Sequence, residues 1–325
     1  MSNRGCVFIF RLLIADHGGT RFATSERMLG KLPTFDYYCP TTLDETLAIV
    51  ERLNGNLSIL AGGTDLLVAM KERRGKHPAL LDIKSVPELS AIRAENGSVC
   101  LGATATARAV AASPLVRERF PMLAHALKFL GSMQIGNRAT IGGNLCNASP
   151  AADGAPPLLV LNASLKLVGK ARTRWVPLDN FFVEPKKTVI DHELLSEVRI
   201  PAGAPNGRGI FHKLGARNAP EDICIVSAAV YAVPDAEKKT WQEVRIALGA
   251  VAPTPIRARY AEERVQGQPI DGKIADEAAQ IAANKDAQPI TDIRASAEYR
   301  RAMVGVLVKR ALEQIAREIQ GAKHL

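Results

Sequence analysis

Two Gly-Gly pairs, Gly62-Gly63 and Gly142-Gly143, restrict the fold of this chain more than any other feature. Both pairs are flanked by side chains that carry hydroxyl, amide or carboxylate groups. Consecutive glycines permit positive φ and a close approach of ligand to backbone, and their N–H groups can then bind an anion. Either pair alone also fits an ordinary tight turn. Two such turns, far apart in sequence, predict one extended dinucleotide bound from two sides.

The residues after each pair argue against two common nucleotide-binding motifs. Neither pair is followed by the later glycines of the Rossmann pattern G-x-G-x-x-G, and neither leads into Gly-Lys-Ser/Thr of a P-loop. Further along, Asp153 precedes Gly154. Its carboxylate is a candidate acceptor for ribityl or ribose hydroxyls, although an Asp before a Gly is also a common turn former.

The distribution of charge and the spacing of the cysteines argue against a nucleic-acid-binding protein and against a metal site in this chain. The net charge is +9, but the basic residues are scattered apart from a small group at 71–76. This distribution favours a solvated surface, suited to acidic partner subunits, over a nucleic-acid site. The five cysteines include no C-x-x-C pair, which predicts a protein of the reducing cytoplasm with no metal or iron–sulfur site of its own.

The first thirty residues are left out of the fold prediction as a tail of uncertain status. The apolar patch at 6–15 is too short to span a bilayer and lacks a signal-peptide cleavage site at the usual distance. We therefore predict no membrane span.

The hydrophobic pattern predicts mixed helices and strands up to about residue 200. Thr42 and Glu45 form a capping box that starts a helix over 43–53. Further helices are predicted at 66–70, 106–112 and 122–129, and strands at 57–61, 79–83, 99–103, 165–168, 175–176 and 193–200. The Gly- and Pro-rich stretch 201–209 indicates a domain boundary.

The second half has a different order of elements. Three strands are predicted at 209–214, 225–233 and 244–248, followed by helices at 257–265, 274–284 and 299–319. A run of strands followed by a run of helices is typical of an α+β domain. The domains are accordingly predicted to span 31–205 and 206–325. We expect Trp175 and Trp241 to pack within strands, and His125 and His212 to be structural.

The two glycine segments resemble the FAD-binding medium subunit of molybdenum hydroxylases, a group that includes xanthine dehydrogenase and carbon monoxide dehydrogenase. The resemblance rests on Ala-Gly-Gly-Thr-Asp-Leu-Leu at 61–67 and Thr-Ile-Gly-Gly-Asn-Leu-Cys-Asn-Ala-Ser-Pro-Ala-Ala-Asp at 140–153. It extends from about Lys31 to the C-terminus. It implies an α+β fold: an FAD-binding domain of the vanillyl-alcohol-oxidase (PCMH) type in two subdomains, then a small domain of three strands and helices like that of the carbon monoxide dehydrogenase flavoprotein.

The resemblance also implies a set of FAD-binding residues. Two segments would bind the pyrophosphate and ribityl chain: Ile59, Leu60, Ala61, Gly62, Gly63, Thr64, Asp65 and Leu66, and Ala139, Thr140, Ile141, Gly142, Gly143 and Asn144. Gly131 and Ser132 would lie near the flavin, Asp153 would bind flavin hydroxyls, and Leu195 and Lys213 would complete the pocket. Without the resemblance, Lys213 is interpreted as a surface lysine whose stem covers apolar neighbours, and the resemblance makes the pocket role an equal alternative. No catalytic residue and no metal ligand is predicted in this chain.

The implied function is electron transfer within a larger oxidoreductase. FAD in this chain would receive electrons from 2Fe-2S clusters in a small subunit, after substrate oxidation at a molybdenum cofactor in a large subunit, and pass them to an external acceptor. The assembly would be a cytoplasmic dimer of heterotrimers. Two alternatives stay open: a free-standing flavin-dependent oxidoreductase of the same fold, and a non-catalytic binding or scaffold protein.

Overall fold

A computed structural model describes residues 32–321 except 218, 220 and 236, so the predicted tail at 1–30 lies outside the described residues. The strands are β1 (Asp36–Tyr38), β2 (Ser58–Leu60), β3 (Ala79–Asp82), β4 (Ile92–Glu95), β5 (Ser98–Gly102), β6 (Ser164–Val168), β7 (Thr173–Pro177), β8 (Phe182–Glu184), β9 (Lys187–Thr188), β10 (Leu194–Ile200), β11 (Arg208–Gly215), β12 (Cys224–Asp235), β13 (Thr240–Gly249) and β14 (Ile256–Arg257). The α-helices are α1 (Leu43–Leu53), α2 (Leu66–Lys71), α3 (Ala107–Ala112), α4 (Pro114–Arg119), α5 (Pro121–Lys128), α6 (Met133–Gly136), α7 (Ile141–Cys146), α8 (Ala155–Val160), α9 (Arg259–Val265), α10 (Gly272–Ile281) and α11 (Ala297–Gly321).

These strands form three main sheets and one hairpin. A small parallel sheet has the order β1-β3-β2, and an antiparallel sheet has the order β4-β5-β10-β6-β7. The second half contributes the antiparallel sheet β11-β12-β13-β14, and β8 pairs with β9. The α+β architecture predicted from the sequence is therefore confirmed, with separate sheets and helices packed on their faces.

Helix α1 shows how local sequence sets an element. The hydroxyl of Thr42 accepts a hydrogen bond from the Glu45 backbone at 3.2 Å, while the Glu45 carboxylate accepts from the Thr41 backbone at 3.1 Å. The first of these bonds satisfies an N–H group that the first turn leaves without a partner, and the second ties the residue before the cap to the helix. At the other end, Asn54 adopts a left-handed conformation with φ 44°. The predicted helix over 43–53 is confirmed at both ends.

The C-terminal sheet is covered on both faces. On one face Phe211, Tyr231 and Val233 belong to the main core of the first half, together with α5 and α8. On the other face Ile246 and Leu248 belong to a second core, formed with α9, α10 and α11. A sheet buried on both sides explains why β12 is apolar along nearly its whole length rather than alternating.

Most predicted elements are confirmed, and the omissions are short ones. The sequence prediction missed β1, β4, α4, α6, α7, α8 and the β8–β9 hairpin, which are short and show no clear hydrophobic period. The two-residue strand β14 joins the three predicted strands of the second half. Trp241 is buried as expected, but the prediction for Trp175 is wrong. Trp175 lies on an edge strand, is 37% exposed and stacks with the Arg199 guanidinium 3.9 Å from its ring centroid.

Among the described residues, none of the helices has both the length and the apolar character needed to cross a membrane.

A buried guanidinium joins α11 to the C-terminal sheet. The side chain of Arg300 is 3% exposed and donates to the carbonyl oxygens of Ile225 at 2.7 Å and Ala250 at 2.9 Å. It also donates to the carboxylate of Asp292 at 2.8 Å. Hydrogen bonds from a charged donor to buried acceptors are stronger than neutral ones.

We expect the substitution Arg300→Met to lower the free energy of unfolding by roughly 3 kcal/mol, because it leaves buried acceptors without a donor. Chemical denaturation would measure the loss. Arg301→Met is the matched control: Arg301 is the exposed neighbour on the same helix, and its replacement should change stability by less than about 0.5 kcal/mol. Equal stability of the two variants would contradict the role given to Arg300.

Candidate functional site

The first glycine turn presents a row of unused backbone donors. The N–H groups of Gly62, Gly63, Thr64 and Asp65 donate no hydrogen bond to any residue that the structure describes. The turn follows β2 and precedes α2, and Gly63 has a φ of 77° that a residue with a Cβ rarely adopts. Successive free N–H groups in a bent segment form a concavity suited to an anion such as a phosphate.

The second glycine segment lies directly against the first. A Cβ placed on Gly62 would be only 2.0 Å from the carbonyl oxygen of Arg138, so this contact requires glycine. Four residues beyond the second pair, the Asn147 amide donates to the Asp65 carboxylate at 3.0 Å. The two motifs are therefore brought together, as a shared ligand requires.

The two glycine pairs are not equivalent, although the sequence predicts matched turns. In the second pair, the N–H of Gly142 donates to the carbonyl of Ala103 at 2.9 Å, and that of Gly143 donates to the hydroxyl of Thr140 at 3.0 Å. A Cβ on Gly142 would lie 2.6 Å from the same Ala103 oxygen. These glycines allow α7 to pack closely against the residue that follows β5. The N–H groups of the second pair thus already have partners, unlike those of the first, and the role of residues 139–144 in FAD binding stays a prediction.

Asp153 and Lys213 form a buried ion pair beside these segments. The ammonium of Lys213, on β11, lies 2.7 Å from one Asp153 oxygen and 3.3 Å from the carbonyl oxygen of Phe129. Their side chains are only 7% and 9% exposed, so the interpretation of Lys213 as a surface residue is wrong. The other Asp153 oxygen, Oδ1, is buried and accepts no hydrogen bond within the described part of the chain.

The remaining predicted residues surround this pair and the two turns. Gly131, with φ 62°, and Ser132, whose hydroxyl caps α6 by accepting from the Ile135 backbone at 3.3 Å, follow closely after Phe129. The carbonyl of the Asn144 side chain accepts from the Gly154 backbone at 3.1 Å, which fixes the turn that carries Asp153. Ile59 and Leu60 lead along β2 into the first turn, and Leu66 begins α2.

Three predicted residues have apolar side chains that are buried in the main core. Leu195, Ile141 and Ala139 all belong to the main core, and Leu195 lies at a bulge in β10. Their side chains are therefore not available to a ligand, and the N–H groups of Ile141 and Ala139 already donate to other backbone carbonyls. The side chains instead support the elements that position the turns.

Sequence reasoning missed two residues at the site. Asn147 joins the two motifs, and the ammonium of Lys186 donates to its side-chain oxygen at 2.7 Å. Asn147 lies inside the second motif, so its position was available as a signal. Lys186 belongs to the short β8–β9 hairpin, where a basic pair indicates only an exposed turn.

Burial raises the pKa of the Asp153 carboxyl to about 6, although the nearby Lys213 ammonium lowers it. Burial also raises the pKa of the Cys224 thiol to about 12, and the charge of Asp153 adds to that increase. Removal of a charged group from water disfavours its ionised form, which accounts for both directions.

The pKa of Asp153 predicts a pH dependence of stability in the flavin-free protein. The folded chain holds this proton up to about pH 6, whereas the unfolded chain releases it near its ordinary value of 3.8. Protonation therefore favours folding. The free energy of unfolding of wild type, relative to that of Asp153→Asn, should therefore rise by roughly 3 kcal/mol as the pH falls from about 6 to 3.8. Urea denaturation across the window would measure it, and a difference that is constant or shifts the opposite way would contradict the assignment.

Comparison with known proteins identifies the family. Residues 33–203 match the family model described as the FAD binding domain in molybdopterin dehydrogenase, and residues 211–315 match the CO dehydrogenase flavoprotein C-terminal domain. The chain belongs to the family of FAD-binding subunits of molybdopterin dehydrogenases.

Similar family members include curated proteins and solved structures. The chain is 35% identical over 281 residues to the carbon monoxide dehydrogenase medium chain of Hydrogenophaga pseudoflava, covering 86% of this chain and 96% of that protein. It is 30% identical over 280 residues to a putative xanthine dehydrogenase FAD-binding subunit of Escherichia coli, covering 86% and 94%. The solved structure of the Hydrogenophaga enzyme superposes with a TM-score of 0.83 at 34% identity, covering 87% of this chain and 97% of that one.

Family membership confirms the resemblance and the overall function. The chain is the FAD-binding medium subunit of a molybdenum hydroxylase, an oxidoreductase, and its cofactor is FAD. The site suits that cofactor, because the free N–H groups at 62–65 fit an anionic diphosphate and the unpartnered oxygen of Asp153 fits a hydroxyl donor.

Proposed function

We propose that this chain binds FAD across the contact between the two glycine motifs and relays electrons from iron–sulfur centres to an external acceptor. The observation that carries the proposal is the row of four free N–H groups at 62–65, packed against the second motif. When bound, FAD supplies the redox chemistry, and the protein supplies binding, orientation and electrostatics.

Each group of residues has a separate task in this proposal. The N–H groups of Gly62–Asp65 bind the diphosphate, assisted by the hydroxyl of Thr64. The free oxygen of Asp153 accepts a hydrogen bond from a hydroxyl of the ribityl chain. Lys213 holds that carboxylate in position from the other side, and Gly131 with Ser132 lines the flavin end of the site. This chain contributes no catalytic base.

The proposal extends to partners and location. Relatives carry names such as medium chain and FAD-binding subunit, which indicates a heteromeric enzyme. We propose a large subunit that binds molybdenum, a small subunit that binds iron–sulfur clusters, and a cytoplasmic dimer of such heterotrimers. We also propose that the two domains span 31–205 and 206–325, close to the two matched ranges.

Purification of the native complex tests the proposal. The expected complex contains three kinds of subunit, molybdenum, iron, and one FAD for each copy of this chain, with the absorption bands of an oxidised flavin. A flavin-free complex would contradict the proposed site. An active flavoprotein that purifies alone, without molybdenum or iron, would instead support the free-standing oxidoreductase.

A further inference from the structure

Lys186 lies in the β8–β9 hairpin, held against the segment that follows the second glycine pair. Lys186 and Ala148 are both non-glycine residues with positive φ, 68° and 44°. The Lys186 N–H donates to the Ala148 carbonyl at 3.1 Å, so that two unfavourable backbone conformations are joined by one hydrogen bond. Such conformations persist where the surrounding structure requires them, and they concentrate at functional sites.

The side chain of Lys186 continues this contact into the cofactor site. Its ammonium donates to Asn147 Oδ1 at 2.7 Å, and Asn147 Nδ2 donates to Asp65 Oδ1 at 3.0 Å. An ammonium can only donate, so it determines that the oxygen of the Asn147 amide faces Lys186. The NH₂ group of the amide must then face Asp65. Lys186 and the Asp65 carboxylate, which can only accept, therefore together set the orientation of the side chain that joins the two glycine motifs.

The negative charge of Asp65 would repel an anionic ligand bound at the first glycine turn. Asp65 supplies the last of the four N–H groups without a partner among the described residues. In our proposal its carboxylate is therefore close to the bound diphosphate. A carboxylate beside a diphosphate is repulsive, and the repulsion becomes stronger when the ligand excludes water. The ammonium of Lys186, two hydrogen bonds away, is the positive charge that the described structure connects to this carboxylate.

We propose that Lys186 is a positioning residue for the diphosphate of FAD: it orients Asn147 and offsets the charge of Asp65. The inference rests on the proposed function, because it requires FAD to lie over the first glycine turn. It assigns a cofactor role to the β8–β9 hairpin, which contains none of the residues predicted from the sequence.

Titration of the flavin-free complex with FAD, followed by the change in flavin fluorescence, tests this role. Lys186→Gln is expected to weaken FAD binding roughly tenfold at low ionic strength and progressively less as salt is added. Lys186→Arg keeps the charge and should bind FAD within about twofold of wild type. Lys187→Gln is the matched control, since the Lys187 ammonium pairs with Glu184 at 2.9 Å, and it should bind FAD like wild type.

A second substitution separates a charge effect from a general disturbance of the hairpin. Asp65→Asn keeps an acceptor for Asn147 but removes the negative charge. Adding Lys186→Gln to Asp65→Asn should therefore cost less than about twofold in affinity. A wild-type affinity for Lys186→Gln alone would overturn the inference, as would a loss that is equally large with Asp65→Asn and at high salt. If the wild-type complex itself binds no FAD, the proposed function fails and the inference with it.

Discussion

Replacement of Gly62 by alanine is expected to weaken FAD binding by roughly one to two orders of magnitude. The added Cβ would lie 2.0 Å from the carbonyl oxygen of Arg138 and 2.8 Å from its carbon, and both are backbone atoms that cannot rotate away. The two glycine segments must then separate, at a cost of about 1–3 kcal/mol or more. Because each 1.4 kcal/mol corresponds to a tenfold change, FAD affinity should fall roughly 10- to 100-fold. The flavin content of the purified complex and an FAD titration would measure the loss.

Gly272→Ala is the matched control for this substitution. Gly272 begins α10, has open space around the position of a Cβ and shows no positive φ. Its replacement should leave flavin content unchanged. A Gly62→Ala complex that retains stoichiometric FAD with wild-type affinity would show that the contact with Arg138 is dispensable.

Lys213→Met is expected to be the most destabilising substitution at the site. It leaves the charge of Asp153 buried without its ammonium partner, and breaking a buried pair in this way costs about 3–5 kcal/mol. Chemical denaturation of the flavin-free protein would measure the loss of stability, and flavin content would report the effect on the cofactor. Lys170→Met is the matched control, because Lys170 pairs with Glu51 on the surface with both side chains more than half exposed. Its cost should be about 0–1 kcal/mol.

A double substitution distinguishes the unpaired charge from the loss of packing. Lys213→Met combined with Asp153→Asn removes both charges, so it should be more stable than Lys213→Met alone despite carrying an additional change. Flavin content should stay low in the double variant, since the acceptor at Asp153 is altered. If the double variant is less stable than the single one, the cost does not arise from a buried unpaired carboxylate.

The parts of the fold that depend on local sequence were predictable. The capping box at Thr42 and Glu45 and the left-handed Asn54 involve residues a few positions apart, and they set both ends of α1. The order of strands then helices after residue 208 follows from hydrophobic period and turn residues in the same way. The six-residue helices α2 and α3 were predicted, whereas α7 contains two glycines and α8 two prolines, which are signals of turns rather than helices.

The unequal roles of the two glycine pairs could not be predicted from composition. Gly62 requires its lack of a Cβ because of Arg138, and Gly142 because of Ala103, and both partners are distant in sequence. Which N–H groups stay free likewise depends on the tertiary contacts of each turn. The same holds for Lys213, since the alternation along β11 does not reveal which of two covered faces holds Asp153. The family resemblance predicted a role for Lys213 in the pocket, but only the structure shows its ion pair with Asp153.

The C-terminal sheet packs on the first half through Phe211, Tyr231 and Val233, and its strand β11 supplies Lys213 to Asp153. We therefore expect the two halves to unfold as a single cooperative unit rather than as separable modules. A truncation at residue 205 would expose an apolar face of the C-terminal sheet and would also leave the buried Asp153 carboxylate without Lys213. Neither fragment should therefore melt in a sharp transition. FAD, which in our proposal binds beside the Asp153–Lys213 pair that joins the two halves, should raise the melting temperature of the whole chain in one step. Calorimetry would then report cofactor loading and the docking of the halves as the same event.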